Sequence, residues 1–141
     1  PGIDQLALGE AVAAAVERHE ALTGTPVALA MNDMPNAATQ ALKLCCYRFV
    51  QEGLSNAFRH ACGSGQRVTC TCGNRTIRLV VEDSGAGMNA IAAQSHAGLG
   101  LQGLKHRIES LGGALHVESS PGEGTRLTAE LPLDEGNPAD V

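Results

Sequence analysis

Aromatic side chains are almost missing from this chain, which has two Phe, one Tyr and no Trp in 141 residues. A core here must therefore be built from Leu, Val, Ile and Ala, and single truncations in it should be costly. Basic charge is also scarce, with 10 Lys and Arg against 15 Asp and Glu and a formal net charge of −5. Nucleic-acid binding rests on a positive balance, so nucleic acid is set aside as a partner. No apolar run approaches the ~18 residues of a membrane span, and the start PGIDQLALGE lacks a basic stretch leading into an apolar one. The expectation is a soluble, cytoplasmic chain. CxxC spacing is absent too, and the five cysteines (Cys45, Cys46, Cys62, Cys70, Cys72) are an odd set. Neither a disulfide framework nor a zinc site is expected, and the thiols read as reduced.

What is present reads as one domain over 1–133, with 134–141 a polar, disordered tail. Apolar residues at Leu8, Val12, Ala15, Val16 and Leu22 predict a helix that stops at Thr23-Gly24. His19 lies near the exposed end of that helix and is expected to be a solvated surface histidine. Pro26 to Met31 reads as a short strand. A long helix follows from about Ala38 to Ala61, with Cys46, Phe49, Val50, Gly53, Leu54 and Ala57 on an apolar stripe. Glu52, Asn56, Arg59 and His60 fall at i, i+4, i+7 and i+8, within an arc of ~100° on another side. Four such head groups can act on one ligand.

From Gln66 the period changes to two. Val68, Cys70 and Cys72 share one strand face, Gly73-Asn74 read as a turn, and Ile77, Leu79 and Val81 share the face of the next strand. That hairpin delivers Asp83 to the rim of a sheet. Leu101, Leu104, Ile108 and Leu111 predict a further helix ended by Gly112-Gly113. A second hairpin alternates Leu115 and Val117, turns through 120–124, and alternates Leu127, Ala129 and Leu131. The order gives a two-layer α/β sandwich (α+β) with a mixed, mostly antiparallel sheet covered on one face by helices. Without a βαβ series or GxxxxGK[ST], neither a Rossmann domain nor a P-loop is supported.

The stretch 80–101, VVEDSGAGMNAIAAQSHAGLGL, has the character of a ligand loop. Asp83 at a strand's end can accept a hydrogen bond from a flat ligand, and Gly85 and Gly87 let backbone come close to it. Adenine fits that description. Gly98 and Gly100 open into a helix whose free N–H groups would face an anion, with phosphate the obvious candidate.

These residues carry a resemblance. QEGLSNAFRHA resembles the N box, VEDSGAGM the first glycine box, GLGLQGLKHRIESLGG the second, and GEGTRLTAELP the closing box of the GHKL ATPase superfamily, in that family's order from Gln51 to Pro132. Among its members they are most similar to histidine kinases that pair with response regulators bearing helix-turn-helix output domains. The resemblance implies the Bergerat (GHKL) ATP-binding fold, and ATP and Mg²⁺ as ligands. Asp83 would accept from the adenine amino group, with Gly85 and Gly87 beside it and Thr125 completing water-linked contacts. Asn56 would hold Mg²⁺, Glu52 would order the metal's water shell, Arg59 would meet phosphate, and His60 would lie by the nucleotide. Gly98, Leu99, Gly100 and Leu101 would form the phosphate-facing stretch, with Asn89 to Ala97 a mobile lid.

Partners implied are a dimerisation domain carrying the phosphoacceptor histidine and a cognate response regulator. None of the five histidines stands in an acceptor motif, so the acceptor is expected on a domain outside this sequence, leaving the fragment monomeric. The resemblance places it in the cytoplasmic portion of a sensor. Two other readings compete. One is a nucleotide-dependent anti-sigma-type binding switch. The other is a GHKL hydrolase in which Glu52 acts as general base toward water.

Overall fold

The computed structural model describes residues 2, 5–35, 37–61, 65–85, 101–119 and 121–133. Its elements run α1 (Leu8–Thr23), β1 (Ala28–Asn32), α2 (Gln40–Ala61), β2 (Arg67–Gly73), β3 (Thr76–Asp83), α3 (Leu101–Ser110), β4 (Ala114–Ser119) and β5 (Thr125–Pro132). The expected tail at 134–141 lies outside the described residues, as does the lid.

Helix α1 begins where the Glu10 carboxylate accepts from the Ala7 N–H at 2.8 Å. It ends at Gly24, whose φ of 75° suits a residue without Cβ and whose N–H donates to the Glu20 carbonyl. Helix α2 is capped by Thr39, whose hydroxyl accepts from the Leu42 N–H at 3.1 Å. The five strands are ordered β1-β2-β3-β5-β4. β1 and β2 are parallel, joined by the α2 crossover, and every other pair is antiparallel. The mixed, mostly antiparallel sheet read from the sequence is what forms.

One face of that sheet carries the core. Val68 and Cys70 from β2, Ile77, Leu79 and Val81 from β3, and Leu127, Ala129 and Leu131 from β5 are all buried. Leu42, Cys45, Cys46, Phe49, Val50 and Leu54 of α2 meet them, joined by the buried stripe of α1 and by Leu101, Leu104 and Ile108 of α3. Each large aliphatic or Phe side chain so buried stabilises by about 1.5–3 kcal/mol relative to exposure. The opposite face bears cross-strand charge pairs such as Arg78 with Glu130 and Arg126 with Glu82.

Gly53 sets how closely α2 lies on the sheet. A Cβ there would stand 3.1 Å from the Val81 side chain, so the helix crosses β3 two residues short of its end. The connection leaving α2 then runs against that end. A Cβ on Gly65 would meet the Ser84 Oγ at 2.0 Å. The C-terminal half of α2 is thereby held at the rim where β3 finishes.

Three local expectations are corrected. His19 is buried rather than solvated: its ring nitrogen Nε2 lies 3.1 Å from the Gln66 Oε1, and its ring meets Phe58 edge-on. The residue continues the stripe Leu8, Val12, Ala15, Val16 by one more step, and Gln66 supplies the polar partner that makes its burial tolerable. Leu22, expected on the apolar stripe, is 72% exposed because it falls off that face. The first hairpin turns at Asn74-Arg75, both at positive φ, while Gly73 pairs with Thr76 inside the ladder. Two positive-φ residues match the right-handed twist of the strands, which a turn one residue earlier would break.

Candidate nucleotide site

Three strands end at one rim. Asp83 closes β3, Thr125 opens β5 and Ser119 closes β4, and the register pairs Asp83 with Thr125 and Thr125 with Ser119. Paired residues in an antiparallel ladder point to the same face. By alternation with Ile77, Leu79 and Val81, that face is the one the helices cover. All three side chains are half-buried. A cleft of about 260 Å³ opens at these strand ends, lined by Asp83, Ser119, Gly124 and Thr125 together with Glu82, Glu118, Glu123 and Arg126, so it reaches round to the opposite face of the sheet, and among the described residues none of its lining comes from α2.

The backbone around Asp83 is tightly arranged. Gly85 donates its N–H to the Asp83 Oδ1 at 2.9 Å, so the loop beyond β3 folds back on the carboxylate. Gly124, at φ 78°, lies so close that a Cβ would stand 2.1 Å from the Asp83 carbonyl oxygen. Only glycine meets both conditions. The Thr125 Oγ1 lies 2.8 Å from the Ser119 Oγ, which also donates to the Gly124 carbonyl at 3.2 Å.

Helix α2 supplies the second half. The Asn56 Nδ2 donates to the Glu52 carbonyl at 3.0 Å. Its Oδ1 accepts from the Arg59 guanidinium, which also donates to the Ser55 Oγ at 2.7 Å. The amide is therefore oriented along its own helix, with its oxygen toward Arg59. A cation or phosphate arriving there competes with that contact, and the exposed Arg59 can exchange Asn56 for an anion. Glu52, one turn before Asn56, is half-buried. Among the described residues no three His, Cys, Asp or Glu converge as a metal site. A cation held by Asn56 and Glu52 would take its other ligands from phosphate and water. Mg²⁺ accepts that kind of site, and the residues fit it.

The structure brings together Asp83, Gly85 and Thr125 at the rim, and Glu52, Asn56 and Arg59 on α2. Leu101 is the first residue of α3 and is buried. Gly87, Gly98, Leu99 and Gly100 lie outside the described residues, as does the side chain of His60. Sequence reasoning missed Ser119 and Gly124. The glycine had a signal in the turn PGEG, whereas Ser119 is recognisable only once the β4–β5 register is known.

This two-layer sandwich, with an aspartate at a strand end closely packed by Gly85 and Gly124, defines a class. Residues 42–135 match the histidine kinase-, DNA gyrase B-, and HSP90-like ATPase family, and the chain belongs to it. ATP binding comes with that membership.

Similar proteins include the sensor histidine kinase LiaS of Bacillus subtilis (strain 168), 33% identical over 110 residues, which are 77% of this chain and 30% of LiaS. The sensor histidine kinase YhcY of the same organism is 32% identical over 126 residues, 89% of this chain and 33% of YhcY. The chain thus spans about a third of the length of these relatives. Among solved structures, the histidine kinase domain of the Erythrobacter litoralis EL346 blue-light activated histidine kinase superposes with a TM-score of 0.74 at 22% identity, covering 92% of this chain and 66% of that one. Full-length ShkA in complex with AMPPNP gives a TM-score of 0.71 at 21% identity, covering 92% of this chain and 30% of that one. At these identities the likeness establishes the fold.

Proposed function

We propose that this domain binds Mg-ATP and donates the γ-phosphoryl group to a histidine carried on a separate domain, in two-component signalling. The observation that supports the reading is Asp83 at the end of β3, held by Gly85 and Gly124, on the strand against which α2, the helix bearing Glu52, Asn56 and Arg59, packs at Gly53. Asp83 offers an acceptor to the adenine amino group, and Thr125 stands beside it. Arg59, already engaged with Asn56, would turn to phosphate oxygens. Gly98 and Gly100, just before the described start of α3 at Leu101, would lend backbone N–H groups to an anion. Bound Mg²⁺ would neutralise phosphate charge, with Asn56 supplying one oxygen and Glu52 ordering its water. Phosphoryl transfer asks chiefly for such positioning and charge compensation. The similarity to sensor histidine kinases supports the acceptor assignment, and a cognate response regulator would be the onward partner.

The test is transfer in trans. Incubated with γ-labelled ATP, Mg²⁺ and the acceptor domain of its own kinase, the chain should place acid-labile label on the acceptor histidine. The Asn56→Ala variant should not. Label retained on this chain's own His19, or rapid phosphate release with no labelled acceptor, would overturn the assignment.

A further inference from the structure

A second cleft, of about 200 Å³, lies between α1 and α2, lined by residues that include Arg18, His19, Leu22, Gln51, Ser55 and Phe58. None of the residues given to the nucleotide above lines it among those described. The neighbours of His19 fix where its ring proton sits. The Leu54 carbonyl only accepts, so the Gln66 Nε2 donates to it, and the Gln66 Oε1 is the acceptor in the 3.1 Å contact with the His19 Nε2. Nε2 therefore carries the hydrogen, and in the neutral ring Nδ1 keeps a lone pair. His19 is only 7% exposed, yet Nδ1 has no hydrogen-bond partner among the described residues. Every sealed side-chain nitrogen and oxygen among those residues does have one. Nδ1 is thus not sealed, and the space it opens onto is this cleft.

We propose that the cleft binds a small carboxylic acid that carries a hydroxyl donor on an apolar body. The hydroxyl donates to the His19 Nδ1, an acceptor that the fold buries and leaves unmatched. The carboxylate meets Arg18, whose guanidinium has no ion pair among the described residues, and the Ser55 hydroxyl, which accepts from Arg59 at 2.7 Å and so retains its own hydrogen. The apolar body lies against Leu22, which is 72% exposed, and Phe58, whose ring stands edge-on to His19 at 6.0 Å between centroids. Burial of Leu22 by a ligand also accounts for a large aliphatic side chain placed at the mouth of a polar cleft.

The probe is 4-hydroxybenzoate, with benzoate, which lacks the hydroxyl, and methyl 4-hydroxybenzoate, which lacks the charge, as its controls. Each would be titrated into the 141-residue chain and followed by calorimetry and by nitrogen NMR of the histidine rings. The probe should bind with a Kd of roughly 10 mM or below, the affinity of about ten non-hydrogen atoms at modest ligand efficiency. Benzoate should bind roughly 2- to 10-fold more weakly, the scale of one neutral hydrogen bond. Arg18→Gln, at an exposed position, should weaken the probe by about 2- to 5-fold and leave the methyl ester unchanged. The His19 Nδ1 should be unprotonated in the free chain and shift as the probe donates to it, while Nε2 keeps its hydrogen. No binding at that concentration, equal affinity for the probe and benzoate, or a His19 Nδ1 signal indifferent to the probe would overturn the proposal. So would an Arg18→Gln variant that binds the probe as wild type does.

Discussion

In the proposed function Asn56 and Asp83 would divide the work at the level of single residues. Asn56 lies on α2 with its oxygen toward Arg59, while Asp83 lies on the sheet's rim beneath Gly124. Asn56→Ala removes one oxygen from a cation that prefers octahedral oxygen ligands, yet leaves the base contacts alone. The variant should lose most of the Mg²⁺-dependent increment in ATP affinity and keep its metal-free affinity, as titrations with and without chelator would show. Asp83 was legible because strict alternation through Ile77, Leu79 and Val81 fixes both its face and its place at the strand's end. Ser119 was not, since cross-strand register is a product of the whole sheet. His19 misled for a related reason: its burial depends on Gln66, 47 residues away.

At the scale of elements, Gln66 joins three of them. It donates from Nε2 to the Leu54 carbonyl of α2 at 3.1 Å, so its Oε1 is left to accept from His19 of α1 at 3.1 Å and from the Thr25 hydroxyl at 3.3 Å. Being one residue before β2, it ties both helices to the sheet next to the rim. Gln66→Leu keeps the bulk but leaves a buried His19 N–H without its acceptor, and should destabilise by about 1–3 kcal/mol in urea unfolding. A His19→Leu, Gln66→Leu double variant should recover part of that loss, because both polar groups leave together. The helices and hairpins themselves were readable from period and caps. The turn at Asn74-Arg75 was misplaced by one residue, since a glycine marks turns in general while strand twist decides which two residues make this one.

Across the whole molecule, the near absence of aromatics leaves space in the core that thiols fill. Cys45, Cys46 and Cys70 are all buried between α2 and the sheet. Burial pushes the Cys45 thiol up to about 11, partly countered by Arg107. Burial, with Cys45 and Cys70 nearby, also raises Cys46. Cys70 is pushed up to about 12 by burial and by Cys72. These thiols stay protonated in the fold at pH values where the unfolded chain, near 9, has lost its protons. Stability is therefore full below about pH 9 and falls as pH rises through 9 toward 11 and 12, by up to about 1.4 kcal/mol per pH unit for each thiol. Thermal unfolding at pH 8 and pH 10.5 should show a clear drop in Tm, and replacing Cys70 with Val should reduce it. The same burial should leave these three thiols unreactive to alkylating reagents at pH 8 until the protein is unfolded.

The assembled domain sets the Asp83 carboxylate at the rim of the sheet, packed by Gly85 and Gly124, and Asn56 beside Arg59 on α2. Its central claim is that Asp83 reads adenine, and titrating the wild-type chain and Asp83→Asn with ATP and with GTP in the presence of Mg²⁺ tests this most directly. Wild type should bind ATP more tightly than GTP, whose 6-oxo group meets the carboxylate as acceptor against acceptor. Asp83→Asn should weaken ATP binding by about 1.5–3 kcal/mol, the range for a hydrogen bond involving a charge. Equal affinity of the wild type for ATP and GTP, or an Asp83→Asn variant that binds ATP as wild type does, would contradict it.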